Sequence, residues 1–215
     1  MVKILVCVIG QLRFTSVTWG NFKRYVLDEL EADMVTCGRD SEVDNEFTRH
    51  SLLNIHSDPK ESTTAQIILE HRRKLFAMAP KTYDQYIITR SDHLWTGPHP
   101  KLDTDHAWFM NGQAHGGISD RHWVLNRTDF EKYLSDPGIW TPHLLNIERY
   151  LFSKVEWGPK TALCYFPMYL SDEHGDYKRL DEMEHTTETF YWPFMFMYTL
   201  SRYNTFPGTP IHVKS

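Results

Sequence analysis

The chain has 215 residues and a formal net charge of −5, with 41% hydrophobic and 24% charged residues, the balance of one globular domain of ordinary size. This excludes a chain that is disordered along most of its length, and it excludes a general nucleic-acid binder, which needs a basic field. Three scattered cysteines without a CxxC pair exclude a disulfide framework or structural zinc, and no apolar run reaches membrane-spanning length.

Residues 2–9 are almost continuously apolar and rich in Val and Ile, which predicts a strand buried on both faces of a parallel sheet. Gly10-Gln11-Leu12-Arg13 follows it where a leader would carry small residues for cleavage, so the run is a first strand and not a signal peptide. Without a secretion signal, the sequon Asn126-Arg127-Thr128 is a chance match and a reducing, cytoplasmic setting is expected. Trp19, Phe22, Val26 and Leu30 recur at helical spacing over 17–31, and Asp33 to Cys37 then reads as a second strand ending at Gly38. Strand, helix and strand in this order build nucleotide-binding sheets. Residues 39–62 are polar, with one short helix expected near 44–55.

A helix is predicted from Thr63 to Ala79, stopped by Pro80, with Ile68, Leu75 and Ala79 on one face and Arg72-Arg73-Lys74 beside it. A third strand runs from Tyr83 to Thr89, with Arg90-Ser91-Asp92-His93 at its carboxyl end. A loop covers 94–105, a fourth strand His106 to Met110, and a turn with Gly112, Gly116 and Gly117 leads into 118–125. Thr128 and Glu131 form a capping-box pattern for a short helix to about Leu134, and Thr141-Pro142 opens another with Leu144, Ile147, Leu151 and Val155 on its apolar face. A last strand is expected over 161–170, an acidic loop over 171–189, and a closing aromatic helix over 190–203, interrupted near Pro193. No repeat or linker divides the chain, so a single domain over 1–215 is the reading.

Ligands of open α/β sheets bind beyond the carboxyl ends of the strands. There Gly10 lets a backbone approach, Gln11 can read a base edge and Arg13 can grip a diphosphate bidentately. Asp92 either holds a divalent metal or caps the turn that follows. His93 reads as a packed loop histidine, Trp95 and Trp123 as core residues before sugar-stacking platforms, and Arg72 and Arg73 as a solvated face or as helpers at phosphates. Twelve histidines show no HExxH spacing, and GxSxG, Walker A and GxGxxG are absent, which removes the usual hydrolase, NTPase and dinucleotide readings.

Taken together, Gly10-Gln11-Leu12-Arg13, the segment Tyr83-Asp84 to Arg90-Ser91-Asp92, and Gly116-Gly117-Ile118-Ser119-Asp120 resemble the nucleotide-sugar glycosyltransferases of GT-A type over about residues 2–170. The N-terminal half is similar to viral members that build a capsid glycan. The resemblance implies a GT-A-like, Rossmann-like fold with a mixed, mostly parallel central sheet flanked by helices. It implies a UDP-sugar donor, a glycan hydroxyl as acceptor, and transfer of a hexose or 6-deoxyhexose such as glucose or rhamnose with Mn2+ or Mg2+. Gly10, Gln11, Arg13, Arg72 and Arg90 would face the nucleotide, Asp92 and a C-terminal His212 the metal, and Asp120 and Glu148 the reacting sugar. Arg90 stands where the family's metal motif has its first Asp, so a non-catalytic carbohydrate-binding domain on the same fold is the alternative. At 215 residues the chain is short for a complete enzyme of this kind, as a piece of a longer multidomain protein would be.

Overall fold

Alternation along β1 (Ile4–Ile9) sorts its side chains onto two faces: Leu5, Cys7 and Ile9 join one buried cluster, Val6 and Val8 another. A strand that is apolar on both sides must be covered on both sides. In the computed structural model, helices cover each face of the sheet to which β1 belongs. The structure describes residues 2–60, 63–95, 97–111, 118–135, 147–164, 166 and 168–170, and the backbone of 189–192, 195–199 and 210–212.

Beside β1 lie β2 (Asp33–Gly38), β3 (Leu53–His56), β4 (Gln85–Thr89), β6 (Ala107–Met110), β7 (Trp123–Asn126), β8 (Thr161–Cys164) and β12 (Pro210–His212). Their order is β12-β8-β6-β7-β4-β1-β2-β3. β1 runs parallel to β2 and β4, β2 to β3, and β6 to β8, whereas β7 is antiparallel to both its neighbours and β12 to β8. This is an α/β fold with a mixed, mostly parallel sheet, as expected. Two short strands, β5 (His93–Trp95) and β9 (Met168–Leu170), pair separately, so 161–170 holds two strands and the loop expected over 94–105 begins as a strand.

One face is covered by α1 (Thr15–Phe22), which passes through a π-helical turn (Lys23–Leu27) into α2 (Asp28–Leu30); Phe22, Val26 and Leu30 pack there with Phe47 of α3 (Glu46–Arg49). The other is covered by α4 (Thr64–Met78), α5 (Arg127–Ser135) and α6 (Ile147–Lys154), through Leu69, Leu75, Phe130, Leu134 and Leu151. α4 starts where its sequence says: the Thr63 hydroxyl accepts from Gln66 N–H and the Gln66 amide oxygen from Thr63 N–H.

Three local expectations are corrected. α5 begins at Arg127, capped by Asn126, whose Oδ1 accepts from Asp129 N–H at 2.8 Å, so Thr128 lies inside the first turn instead of capping it. The helix expected near 44–55 shrinks to α3, and β3 occupies its second half; only Ile55 of that edge strand is buried, too weak a pattern to read. The aromatic closing helix is instead two antiparallel strands, β10 (Thr189–Trp192) and β11 (Met195–Thr199). Aromatic residues favour a pleated surface, and Pro193 would remove a bond from a helix interior. His212 stands in β12 at the sheet edge. The start expected at Thr141-Pro142, the glycines at 112, 116 and 117, and the loop over 171–188 lie outside the described residues. Among the described residues no helix is long and apolar enough to cross a membrane.

Candidate functional site

The parallel strands β1, β2 and β4 end at one edge of the sheet, and the first two meet there through glycines. Gly10 N–H donates to the Cys37 carbonyl at 2.9 Å, and Gly10 has φ +91°, a conformation that suits glycine. The loop from Gly10 to Arg13 is then joined to the turn after β4. Ser91 Oγ accepts from Arg13 N–H at 3.0 Å and lies 3.4 and 3.3 Å from the carbonyls of Gln11 and Arg13, one of which takes its proton. Ser91 is fully buried. Its replacement by Ala would remove these bonds and leave Arg13 N–H only the Gln11 carbonyl, 3.1 Å away. The expected cost is about 0.5–1.5 kcal/mol of stability in urea unfolding, with faster amide exchange at Arg13; unchanged exchange there would rule out the clamp.

A cleft of about 250 Å3 opens at this edge. Gly10, Gln11 and Arg13 line it after β1, Arg39 after β2, Arg90 after β4, and Asp120 before β7; Ile67, Ile68 and His71 of α4 complete it. Arg13 Nε donates to Gln11 Oε1 at 2.9 Å, so the two side chains hold each other. Three guanidiniums and one carboxylate line a cleft in a chain of net charge −5, which makes it a local site for an anion.

Beneath the cleft, charges are packed closely. Arg90 is bidentate on Asp92, Nε to Oδ1 at 2.9 Å and Nη2 to Oδ2 at 2.6 Å. Burial opposes ionisation of Asp92, but the Arg90 guanidinium outweighs it and holds the carboxyl below its usual range. Burial likewise opposes the charge on Arg90, and Asp92 again prevails, so the guanidinium titrates higher than usual. Burial, then the nearby Arg90, pull Arg121 down.

Arg72 is neither on a solvated face nor at the cleft surface. It is buried, its Nη2 donates to the Asp120 carbonyl at 3.0 Å, and its guanidinium sits 3.9 Å from the Trp123 ring centroid. Burial lowers its pKa to about 10, so it remains charged at neutral pH and acts by positioning Asp120. Trp95 and Trp123 are both buried in the core. Glu148 lies in the first turn of α6, and its carbonyl accepts from Ile118 N–H at 3.0 Å, tying that helix to the strand entry that carries Asp120. Glu148 is not among the residues lining the cleft.

A divalent cation at Asp92 would need several oxygen ligands. Both Asp92 oxygens are taken by Arg90, and the described residues hold no group of three His, Cys, Asp or Glu that could bind a metal. β12, which carries His212, lies four strand spacings from β4, roughly 19 Å at the usual separation. The described residues therefore do not fit Mn2+ or Mg2+ at this position.

Behind β4 runs a buried histidine chain. His99 Nδ1 must donate to the Pro100 carbonyl (2.7 Å), which leaves His99 Nε2 to accept from His122 Nε2–H (3.1 Å). His122 Nδ1 then accepts from the Thr89 hydroxyl (2.9 Å), and Thr89 Oγ1 accepts from His93 Nδ1–H (3.2 Å). His93 is thus a packed histidine, as its sequence setting suggested.

No family model matches the chain, and no curated protein matches it. Among solved structures it is similar to one described as a glycosyltransferase involved in the glycosylation of the major capsid of PBCV-1. The two share 12% identity over 76% of this chain and 82% of that chain, with a TM-score of 0.47.

Of the residues singled out from sequence, Gly10, Gln11, Arg13, Arg90 and Asp120 meet at one cleft. Arg39 and His71 were missed. Arg39 follows a parallel strand as Arg13 does, and the same strand-end rule applied to β2 finds it; His71 carries no sequence signal, because its place depends on how α4 docks.

Proposed function

We propose that the chain is a nucleotide-sugar glycosyltransferase domain that passes a hexose or 6-deoxyhexose from a UDP-sugar to a glycan hydroxyl, with a capsid glycan as the acceptor. One observation carries this reading: a glycine-lined, arginine-rich cleft at the carboxyl ends of β1, β2 and β4 with a single carboxylate, Asp120, in its lining. A leaving diphosphate gathers negative charge as its bond to the sugar breaks, and fixed guanidiniums stabilise that charge. Gly10 leaves room for the nucleotide and Gln11 offers an amide to the base. In an inverting transfer, Asp120 takes the proton of the acceptor hydroxyl as its oxygen bonds the anomeric carbon and UDP departs. Arg72 keeps Asp120 in place through its main-chain carbonyl. Glu148 is the second carboxylate to test.

Incubation with a panel of UDP-sugars, reading UDP release by chromatography, tests this. One sugar should be consumed, and Asp120→Asn should slow it by about 10²–10⁴-fold while retaining the fold. Glycan binding with every UDP-sugar left intact would favour a non-catalytic carbohydrate-binding domain, a reading supported by the locked Arg90–Asp92 pair.

A further inference from the structure

The acidic residue at the end of β4 is already neutralised from within the chain. Asp92 is 2% exposed and receives two guanidinium hydrogen bonds from Arg90. A divalent cation entering there would have to break that bidentate pair. It would then meet the positive charge of Arg121 as well as that of Arg90, since both act electrostatically on Asp92. Arg90 itself lines the cleft, with 27% of its side chain exposed, so the pair turns a cationic edge toward the ligand space. Arg13 and Arg39 line the same space. The ion pair of Arg39 with Asp58 is exposed on both sides, which is the weak kind that an incoming phosphate displaces. A guanidinium offers paired N–H donors that match two oxygens of a phosphate.

We infer that this cleft holds a nucleoside diphosphate without a divalent cation: Arg13, Arg39 and Arg90 contact the phosphates, Arg13 and Arg39 supply the positive charge a metal would bring, and Asp92, neutralised by Arg90, leaves a cation no free carboxylate to hold. This rests on the donor-site reading above. Asp92 is a positioning residue in it, orienting Arg90 and touching no ligand.

The test is calorimetric titration of UDP into the full chain, once with a chelator and once with Mn2+, with inorganic pyrophosphate as a second probe. Affinity in chelator should lie within about threefold of that in Mn2+, pyrophosphate should compete, and affinity should fall as salt rises. Arg13→Ala, in a partly exposed loop, should weaken UDP about 10–100-fold by removing charge-assisted bonds, with or without metal. UDP binding that appears only with Mn2+ would overturn the inference and leave the donor site standing. No UDP binding under either condition, from protein with native far-UV dichroism, would overturn both. Asp92→Asn separates the roles further: a positioning residue leaves measurable chelator-insensitive binding, whereas a metal ligand abolishes a Mn2+-dependent gain.

Discussion

Acidification from pH 7 to pH 5 is expected to remove most of the folding stability. Among the described residues four histidines are buried and neutral in the fold. Burial, chiefly, lowers His71 to about 4, His93 to about 3 and His99 to about 4, and pushes His122 well below its ordinary value. In the unfolded chain all four titrate near 6.5. Because the folded values are depressed, the stabilisation is complete above the unfolded pKa and is lost as pH falls below it. Between about pH 6 and 4.5 unfolding should therefore take up nearly four protons, a slope of about 5 kcal/mol per pH unit. From pH 7 to 5 the loss is about 7 kcal/mol, comparable with the 5–15 kcal/mol that holds a typical domain together. Asp92, also depressed, acts in the same direction but only near and below about pH 4, where an unfolded Asp titrates. Urea unfolding followed by tryptophan fluorescence at pH 7, 6 and 5 gives the slope. A value below about one proton would show that the histidines are solvated in the native state. His71→Gln, removing the one of these four that lies outside the Thr89 chain, should reduce the slope by about one proton.

The second large effect is expected from Gly38→Ala. Gly38 has φ 173°, extended backbone open to any residue, so its conformation does not require glycine. Space does. A Cβ there would lie 2.0 Å from the Gly10 carbonyl oxygen and 2.9 Å from its carbon, both backbone atoms of the neighbouring strand end. Relief requires parting β1 from β2 at the Gly10–Cys37 hydrogen bond and moving the loop that carries Gln11 and Arg13. Overpacking of this kind costs about 3 kcal/mol or more when backbone must shift. The surviving folded protein should also bind UDP poorly, since the displaced loop lines the cleft. Gly20→Ala is the control: nothing lies within 4 Å of its Cβ, and a helical Ala is expected to stabilise by about 0.5–1 kcal/mol. Equal unfolding midpoints for the two variants would mean that the strands part freely at Gly38.

Local pattern was enough to read much of this protein. A continuous apolar run marks β1, and Tyr86-Ile87-Ile88 marks β4, because a strand covered on both faces carries apolar side chains on both. Thr63 and Pro80 bound α4 because its cap and its stop are chemistry of neighbouring residues. The strand-end rule then brings Gly10, Gln11, Arg13 and Arg90 to one edge, because parallel strands all point their carboxyl ends the same way. Two kinds of element escaped: β3, an edge strand that buries one side chain, and β10 and β11, whose aromatic pattern serves either state until a partner strand is in place. The charges were the least legible part. Arg72 looks solvated beside Arg73 and Lys74, yet docking of α4 carries it beneath Asp120 and against Trp123, residues some fifty positions away. Asp92 has the position of a metal ligand, but burial and the turn after β4 give both its oxygens to Arg90. Propensity and strand-end position are properties of adjacent residues and survive in a linear text. Which charge neutralises which is set by distance and dielectric, and those exist only once the chain has folded.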